Sequence, residues 1–315
     1  MGILLFLMVW SSSPPVFAGE PVRSIAAAPA AVQQWEDNMV QYGRRHCGGD
    51  YDYDGARVFY QIAEYTHDPS WIACAERAAV IYRDHYLVPN TYRAAGWKIF
   101  PRGLWLHFQK TGDAKSKDAV IQLAGHAAYC CAPQRLTQAD GEHGGSREAA
   151  YNLEAKLYAE DLGVDQPTTK ALADIVFGHF DQWFRSKSAP YVRPFMVALS
   201  AEALIEYWER TKERRVLPVL QEALEQLWQS CWLADARAFK YTDRNVPSGD
   251  QRPSPDLNLL IAPAYAWVYA QTHDPTWRVR HDAIFAGAVS TGSLQDPKHF
   301  HQQYRWSFDG LKWRQ

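Results

Sequence analysis

Three carboxylates stand close together in Gly48-Gly49-Asp50-Tyr51-Asp52-Tyr53-Asp54-Gly55. A carboxylate at a helix start feels the positive end of the helix dipole and stays ionised, so Asp54 is the expected general base and Asp52 a substrate contact beside it. A second set, Gly141-Glu142-His143-Gly144-Gly145-Ser146-Arg147-Glu148 followed by Tyr151, puts Glu148 at the mouth of another helix. Cleaving a glycosidic bond takes two carboxyl groups, ~5 Å apart for retention or ~6.5 to 9.5 Å for inversion. Asp54 and Glu148 meet that need if both helices face one axis, in which case His143, Arg147 and Tyr151 become substrate contacts. The competing assignments are a helix cap for Asp54 and an ion pair with Arg147 for Glu148. In the third set, Ser248 to Asn258, N-capping is the leading role for Asp256, which follows Pro255; it is also a candidate substrate contact.

Arginine and tyrosine recur in the same kind of segment: Tyr92-Arg93, Arg102, Arg147, Tyr191 with Arg193, Arg252, and Tyr304-Arg305. Guanidinium forks bind carboxylates bidentately, which points to an anionic sugar, while rings such as Trp97 can stack on sugar faces. A rival chemistry follows, β-elimination from a uronate. Arginine would neutralise the carboxyl group, and His143, Tyr151, His299, His301 or Tyr304 would move the protons. The sequence holds no nucleophile elbow, phosphate-binding glycine loop, HExxH or paired-cysteine pattern, so neither a metal nor another cofactor is expected.

The elements that position these residues announce themselves through a recurring turn. Thr66-His67-Asp68-Pro69 returns as Thr272-His273-Asp274-Pro275, with looser copies at Thr111-Gly112-Asp113 and Thr211-Lys212-Glu213 and a fifth turn at Leu162-Gly163-Val164-Asp165. Apolar helical stretches flank each copy, so each reads as the turn of an αα-hairpin. The hairpins pair residues 52–66 with 69–85, 99–111 with 114–130, 147–162 with 167–184, 194–210 with 215–232, and 256–271 with 275–288, where Pro263 should kink the first helix. Residues 32–46 form a helix with no obvious partner, and 299–313 could return to it as a sixth unit. Long links at 86–97, 130–147, 185–194, 231–256 and 286–304 must then share one face, and His67 and His273 the other. Links carrying aromatic and charged residues on a rigid scaffold are where function sits.

First helices such as Phe195-Met196-Val197-Ala198-Leu199 are apolar all round, while second helices carry charges at Glu76, Arg77, Arg83, Lys115 and Lys117. An inner ring and an outer ring follow, giving an all-α barrel of five to six hairpins. With its Thr-Gly-Asp turn, this arrangement resembles the α/α-toroid, or six-hairpin, carbohydrate-active enzymes: glycoside hydrolases, polysaccharide lyases and sugar epimerases. The segment Gly48 to Gly55 is loosely similar to the Gly-Gly-Trp-Tyr-Asp-Ala-Gly-Asp segment of one group of inverting endoglucanases, although here the second Asp precedes the glycine. The resemblance implies a carbohydrate-active enzyme with water-activating Asp residues.

The chain has 315 residues, 47% hydrophobic and 22% charged, with a net charge of -2, which argues against a general binder of nucleic acid or membrane surfaces. Residues 1–18, with an apolar Ile3–Trp10 and Val16-Phe17-Ala18 before Gly19, read as an export signal, too short to span a bilayer. Residues 19–315 read as one domain, secreted or periplasmic. Five cysteines leave at least one unbridged within the chain, and the adjacent Cys130-Cys131 pair reads as two ordinary residues at a helix end, with a rare vicinal disulfide as the alternative. Three functional expectations stand. The first is a hydrolase of oligo- or polysaccharides using Asp54 and Glu148, the second a uronate lyase, and the third a glycan-binding protein without catalysis.

Overall fold

The computed structural model describes residues 29–140 and 145–315; the expected export signal and His143 fall outside them. The described chain is predominantly α-helical, as expected. Its elements are α1 (Pro29–His46), α2 (Gly55–Thr66), α3 (Ile72–Val80), α4 (Pro101–Thr111), α5 (Ala114–His126), α6 (Ser146–Asp161), α7 (Thr169–Phe180), α8 (Pro194–Thr211), α9 (Val216–Cys231), α10 (Asn258–Thr272), α11 (Pro275–Thr291), α12 (Pro297–Tyr304) and α13 (Ser307–Trp313). Helices α3 and α7 each run on into a wider π-helical turn, to Leu87 and Arg185.

One chemical device closes four of the hairpins. The hydroxyls of Thr66, Thr111, Thr211 and Thr272 donate to the carbonyl four residues back, at 2.7, 2.6, 2.8 and 2.8 Å. Each hydroxyl then accepts the N–H two residues ahead, from Asp68, Asp113, Glu213 or Asp274. The intervening residue, His67, Gly112, Lys212 or His273, takes the left-handed conformation that ends helices, with φ of 54°, 74°, 56° and 57°. Asp68, Asp113 and Asp274 accept backbone N–H groups from the returning turn. The recurring Thr-x-Asp is therefore a C-cap fused to an N-cap, and it reverses the chain within a few residues.

The first helix of each hairpin packs on the first helix of the next. Thus α2 meets α4, α4 meets α6, α6 meets α8, and α8 meets α10; α10 packs against α12 and α13, and α12 contacts α2. Each second helix packs on its own partner, and α1 packs on α11 and α12. The N-terminal helix thus has its neighbours in the last hairpin and the C-terminal segment, beside the short α12 and α13. Helices α6, α8 and α10 are buried on nearly every face, which explains their lack of a polar stripe.

Where the first helices converge, the core is ionic. Arg57 of α2 donates to Glu202 of α8 at 2.6 Å and to Asp309 of α13 at 3.3 Å. Arg305, between α12 and α13, lies 3.4 Å from Glu154 of α6 and 3.0 Å from Glu202, the latter an ion pair off the hydrogen-bonding direction. Arg102 of α4 reaches Glu206 of α8 at 3.3 Å and Asp309 at 3.2 Å. Burial pushes the Glu154 carboxyl well above the usual range, against the pull of Arg305. Burial also acts upward on Glu202, but Arg305 and Arg57 outweigh it and hold that carboxyl low.

Two local features depart from expectation. The link after α9 contains a short antiparallel pair, β1 (Trp232–Leu233) with β2 (Ala238–Phe239). Asp256 lies in a single 3-10 turn, Pro255–Leu257, and does not cap α10: the cap position belongs to Leu257 and carries no side-chain bond. Helix α10 continues through Pro263, against whose ring Gly310 of α13 packs closely.

Candidate functional site

A cavity of about 810 Å³ opens where four of the long links meet, within the size range of small-molecule sites. Its wall takes Gly96 and Trp97 from the link after α3 and Ala128 and Tyr129 from the link after α5. Asp140, Ser146, Arg147 and Glu148 come from the entry to α6, Tyr191 and Arg193 from the entry to α8, and Ser248 from the link after β2. These links carry the chain from the second helix of one hairpin to the first helix of the next. The N-terminus of α6 therefore points its first turn at the cavity wall.

Glu148 sits in that first turn. Its Oε2 accepts the Gly145 N–H at 3.1 Å, and its Oε1 accepts from Arg147 Nη2 at 2.9 Å and Nε at 3.3 Å. Gly96 packs so closely on Glu148 that a Cβ there would fall 2.5 Å from Glu148 Cγ. That contact fixes the carboxylate's approach to the cavity. Burial acts to lower the Arg147 guanidinium, but the neighbouring Glu148 carboxylate outweighs it and leaves that group above its usual range.

Asp140 is the second carboxylate of the cavity, 2% exposed and in a left-handed conformation with φ 43°. Its Oδ1 accepts from Ser146 Oγ at 2.9 Å and its Oδ2 from Trp183 Nε1 at 3.0 Å. Burial pushes its pKa up to about 6, opposed by the Ser146 and Trp183 hydrogen bonds and by Arg193, and reinforced by Glu148. Neutral donors hold Asp140 and a guanidinium holds Glu148, so the two carboxyl groups of the cavity sit in unlike environments.

Arg193 lies with its guanidinium 4.8 Å from the Tyr191 ring and 5.7 Å from the Tyr241 ring. Its Nη2 donates to Ser248 Oγ at 2.7 Å and to Ser248 O at 3.1 Å, while its Nε has no partner among the described residues. Trp97, 55% exposed, is the largest side chain that the wall offers to solvent.

Of the residues picked from sequence, this cavity brings together Trp97, Arg147, Glu148, Tyr191 and Arg193. Asp54 is not among its lining residues. It is buried in a left-handed N-cap, with Oδ2 accepting the Gly103 N–H at 2.9 Å and Oδ1 the Arg57 N–H at 3.4 Å. That double bond ties the start of α2 to α4, and burial raises its carboxyl pKa against the pull of Arg57. Asp52 pairs with Lys98 at 3.3 Å, and its carbonyl accepts from His301 Nδ1 at 3.0 Å. Tyr151 is buried, its hydroxyl accepting from Arg305 Nη1 at 3.1 Å. Tyr304 donates its hydroxyl to Trp35 O at 2.7 Å and stacks on the Trp35 ring. Arg305 belongs to the ionic core. Tyr92 is half-buried with φ 60°, Arg93 is exposed, and Asp256 offers its carbonyl to Gln302 Nε2 at 2.8 Å; none of the three lines the cavity.

Sequence reasoning passed over Asp140 and Tyr129. Asp140 directly precedes Gly141 at the head of the glycine-rich segment, and that turn-forming pair was its one visible signal. Among the described residues no cluster of three or more His, Cys, Asp or Glu is disposed to hold a metal ion. No protein-family model matches the chain, and neither a curated protein nor a solved structure is similar to it.

Proposed function

We propose that this chain is a carbohydrate-active hydrolase of α/α-toroid architecture, working in the cavity between the long links. Support for the toroid comes from the succession of first-helix contacts that returns to α2 and from the ionic cluster those helices share. Support for the hydrolase comes from one observation. A single cavity combines an exposed indole, two guanidinium groups and two carboxyl groups of unlike environment.

In this reading Asp140, protonated up to about pH 6, donates its proton to the departing glycosidic oxygen. Glu148 takes the proton of the attacking water, and Arg147, bound to one of its oxygens, holds it in place. Trp97 stacks against a sugar ring, and Arg147 and Arg193 bind hydroxyl or acidic groups of the substrate. The assignment moves the base from Asp54 to Glu148 and gives the proton to Asp140, because Asp140 and Glu148 line the cavity and Asp54 does not. Elimination through Tyr304 is disfavoured, since its hydroxyl is buried on Trp35 O. Export through residues 1–18 belongs to the same reading, and the Cys47–Cys74 disulfide is consistent with an oxidising compartment.

A second reading, a glycan-binding protein without turnover, has its own support. All four carboxylate oxygens of Asp140 and Glu148 already hold a protein donor. A panel of neutral and acidic oligosaccharides, followed for new reducing ends and for unsaturated, ultraviolet-absorbing products, separates the readings. Reducing ends without absorbance support hydrolysis, absorbance supports elimination, and binding with neither product supports the binder.

A further inference from the structure

The turn that carries Tyr129 into the cavity wall also carries two adjacent thiols. Cys130 Sγ and Cys131 Sγ lie 3.0 Å apart, and both point at the Gly125 carbonyl at the end of α5, at 3.0 and 3.5 Å. Cys131 is exposed and Cys130 buried. Adjacent side chains commonly point apart; here they converge on one acceptor, on the same side of the backbone.

We propose that Cys130 and Cys131 are a reversible modification site, closing to a vicinal disulfide next to Tyr129 of the cavity wall by exchange with a small disulfide oxidant. The exposed Cys131 thiolate attacks one sulfur of the oxidant, forming a mixed disulfide and expelling one thiolate. The Cys130 thiolate then attacks Cys131 Sγ, forming the ring and expelling the second thiolate. Two electrons pass from the cysteine pair to the oxidant, and the two thiol protons go to the two thiols released. Burial pushes the Cys130 thiol up to about 12, so ring closure waits on its deprotonation and is the slow step.

Geometry makes the closed ring labile. Adjacent Cα atoms across a trans peptide are ~3.8 Å apart, short of the ~4.4 to 6.8 Å that disulfides prefer, so the ring stores strain and reduces readily. The neighbouring backbone localises the change. Ala128 is pinned on both sides, its N–H to Ala94 O at 2.9 Å and its carbonyl to Asn152 Nδ2 at 3.0 Å. The adjustment therefore falls on Tyr129, already at φ 68°, and on the residues after it. This site stands whether the cavity hydrolyses, cleaves by elimination or only binds.

The test counts thiols in the full chain with Cys47–Cys74 intact. Three cysteines, Cys130, Cys131 and Cys231, are free before treatment. After incubation with oxidised glutathione, the denatured protein should show one free thiol. Its mass should fall by two hydrogens, and the peptide holding residues 130–131 should be internally linked. Dithiothreitol at a level that leaves Cys47–Cys74 closed should restore all three thiols. Cys131→Ala should keep Cys130 free throughout the same treatment. A stable glutathione adduct on Cys131 with Cys130 still free, an unchanged thiol count, or a ring that opens only together with Cys47–Cys74 would each overturn the proposal.

Discussion

Replacing Glu202 by Gln should be far more damaging than replacing Glu154 by Gln, although both are buried glutamates in one ionic cluster. The cluster sets three guanidinium groups, Arg57, Arg102 and Arg305, against four carboxyl groups, Glu154, Glu202, Glu206 and Asp309. Arg210 joins its edge, 3.6 Å from Glu206 and 2.7 Å from Asp161, and so adds one charge of each sign. Neutrality then requires one proton, and Glu154 is its place. Burial drives that carboxyl upward, its contact to Arg305 is long at 3.4 Å, and its Oε1 has no hydrogen-bond partner among the described residues. Glu202 faces two guanidinium groups, and removing its charge leaves both underpaired in the core, a loss of about 3–5 kcal/mol. At roughly 2 °C per kcal/mol for a chain of this size, Glu202→Gln should lower Tm by roughly 6–10 °C. Glu154→Gln replaces one neutral group by another and should stay within about 1 kcal/mol of wild type. The pH dependence carries the sign. A carboxyl raised above its ordinary 4.5 contributes stability that is fully present below that value and is lost as pH rises through the raised one. Urea unfolding across that range should show this decline in wild type and a flatter profile in Glu154→Gln. Equal losses for the two variants, or an unchanged pH profile in Glu154→Gln, would refute the charge count.

Other perturbations separate the cavity from its scaffold. If Asp140 is the acid, the rate of hydrolysis falls as pH rises through about 6, and Asp140→Asn lowers kcat by roughly 100-fold or more with that limb removed. Retained turnover in this variant would take Asp140 out of the chemistry. Asp54→Ala should leave turnover per folded molecule unchanged while costing about 1–2 kcal/mol for the lost cap, read by thermal unfolding. Turnover abolished in well-folded Asp54→Ala protein would restore Asp54 to the mechanism. Trp97→Ala should leave stability within about 0.5 kcal/mol and weaken oligosaccharide binding by about 0.5–1.5 kcal/mol, measured by calorimetry. Unaltered affinity would remove Trp97 as a stacking surface.

The helical architecture was legible because its signals are local. Thr-x-Asp turns encode a C-cap and an N-cap within a few residues, and their recurrence marks the hairpins wherever tertiary packing takes them. The long links were legible for the same reason, as what remains between helices. Which carboxylate in a link faces a cavity depends on how links from different hairpins meet, and no single segment carries that information. Asp54 looked like a base because a helix-start carboxylate is both a cap and an anion. Only the backbone of Gly103, far along the chain, shows that the cap takes both oxygens. Tyr304 and Arg305 looked like cavity residues because they close the long link 286–304, in keeping with the arginine and tyrosine of the other links. Here α12 packs on α1 and α2, and Arg305 turns into a charged centre built from several helices. Asp140 gave little signal, since its raised pKa comes from burial beside Trp183, which follows α7 at the far end of the hairpin that its link leads into.

The central claim is that Glu148 does chemistry in the cavity and does more than cap α6. Glu148→Gln keeps an acceptor for the Gly145 N–H and so should remain folded. Calorimetric titration and reducing-end release, measured on this variant with an oligosaccharide that the wild type cleaves, test the claim directly. The account predicts that binding persists while product release is lost. Glu148→Gln protein that releases reducing ends at the wild-type rate would contradict it.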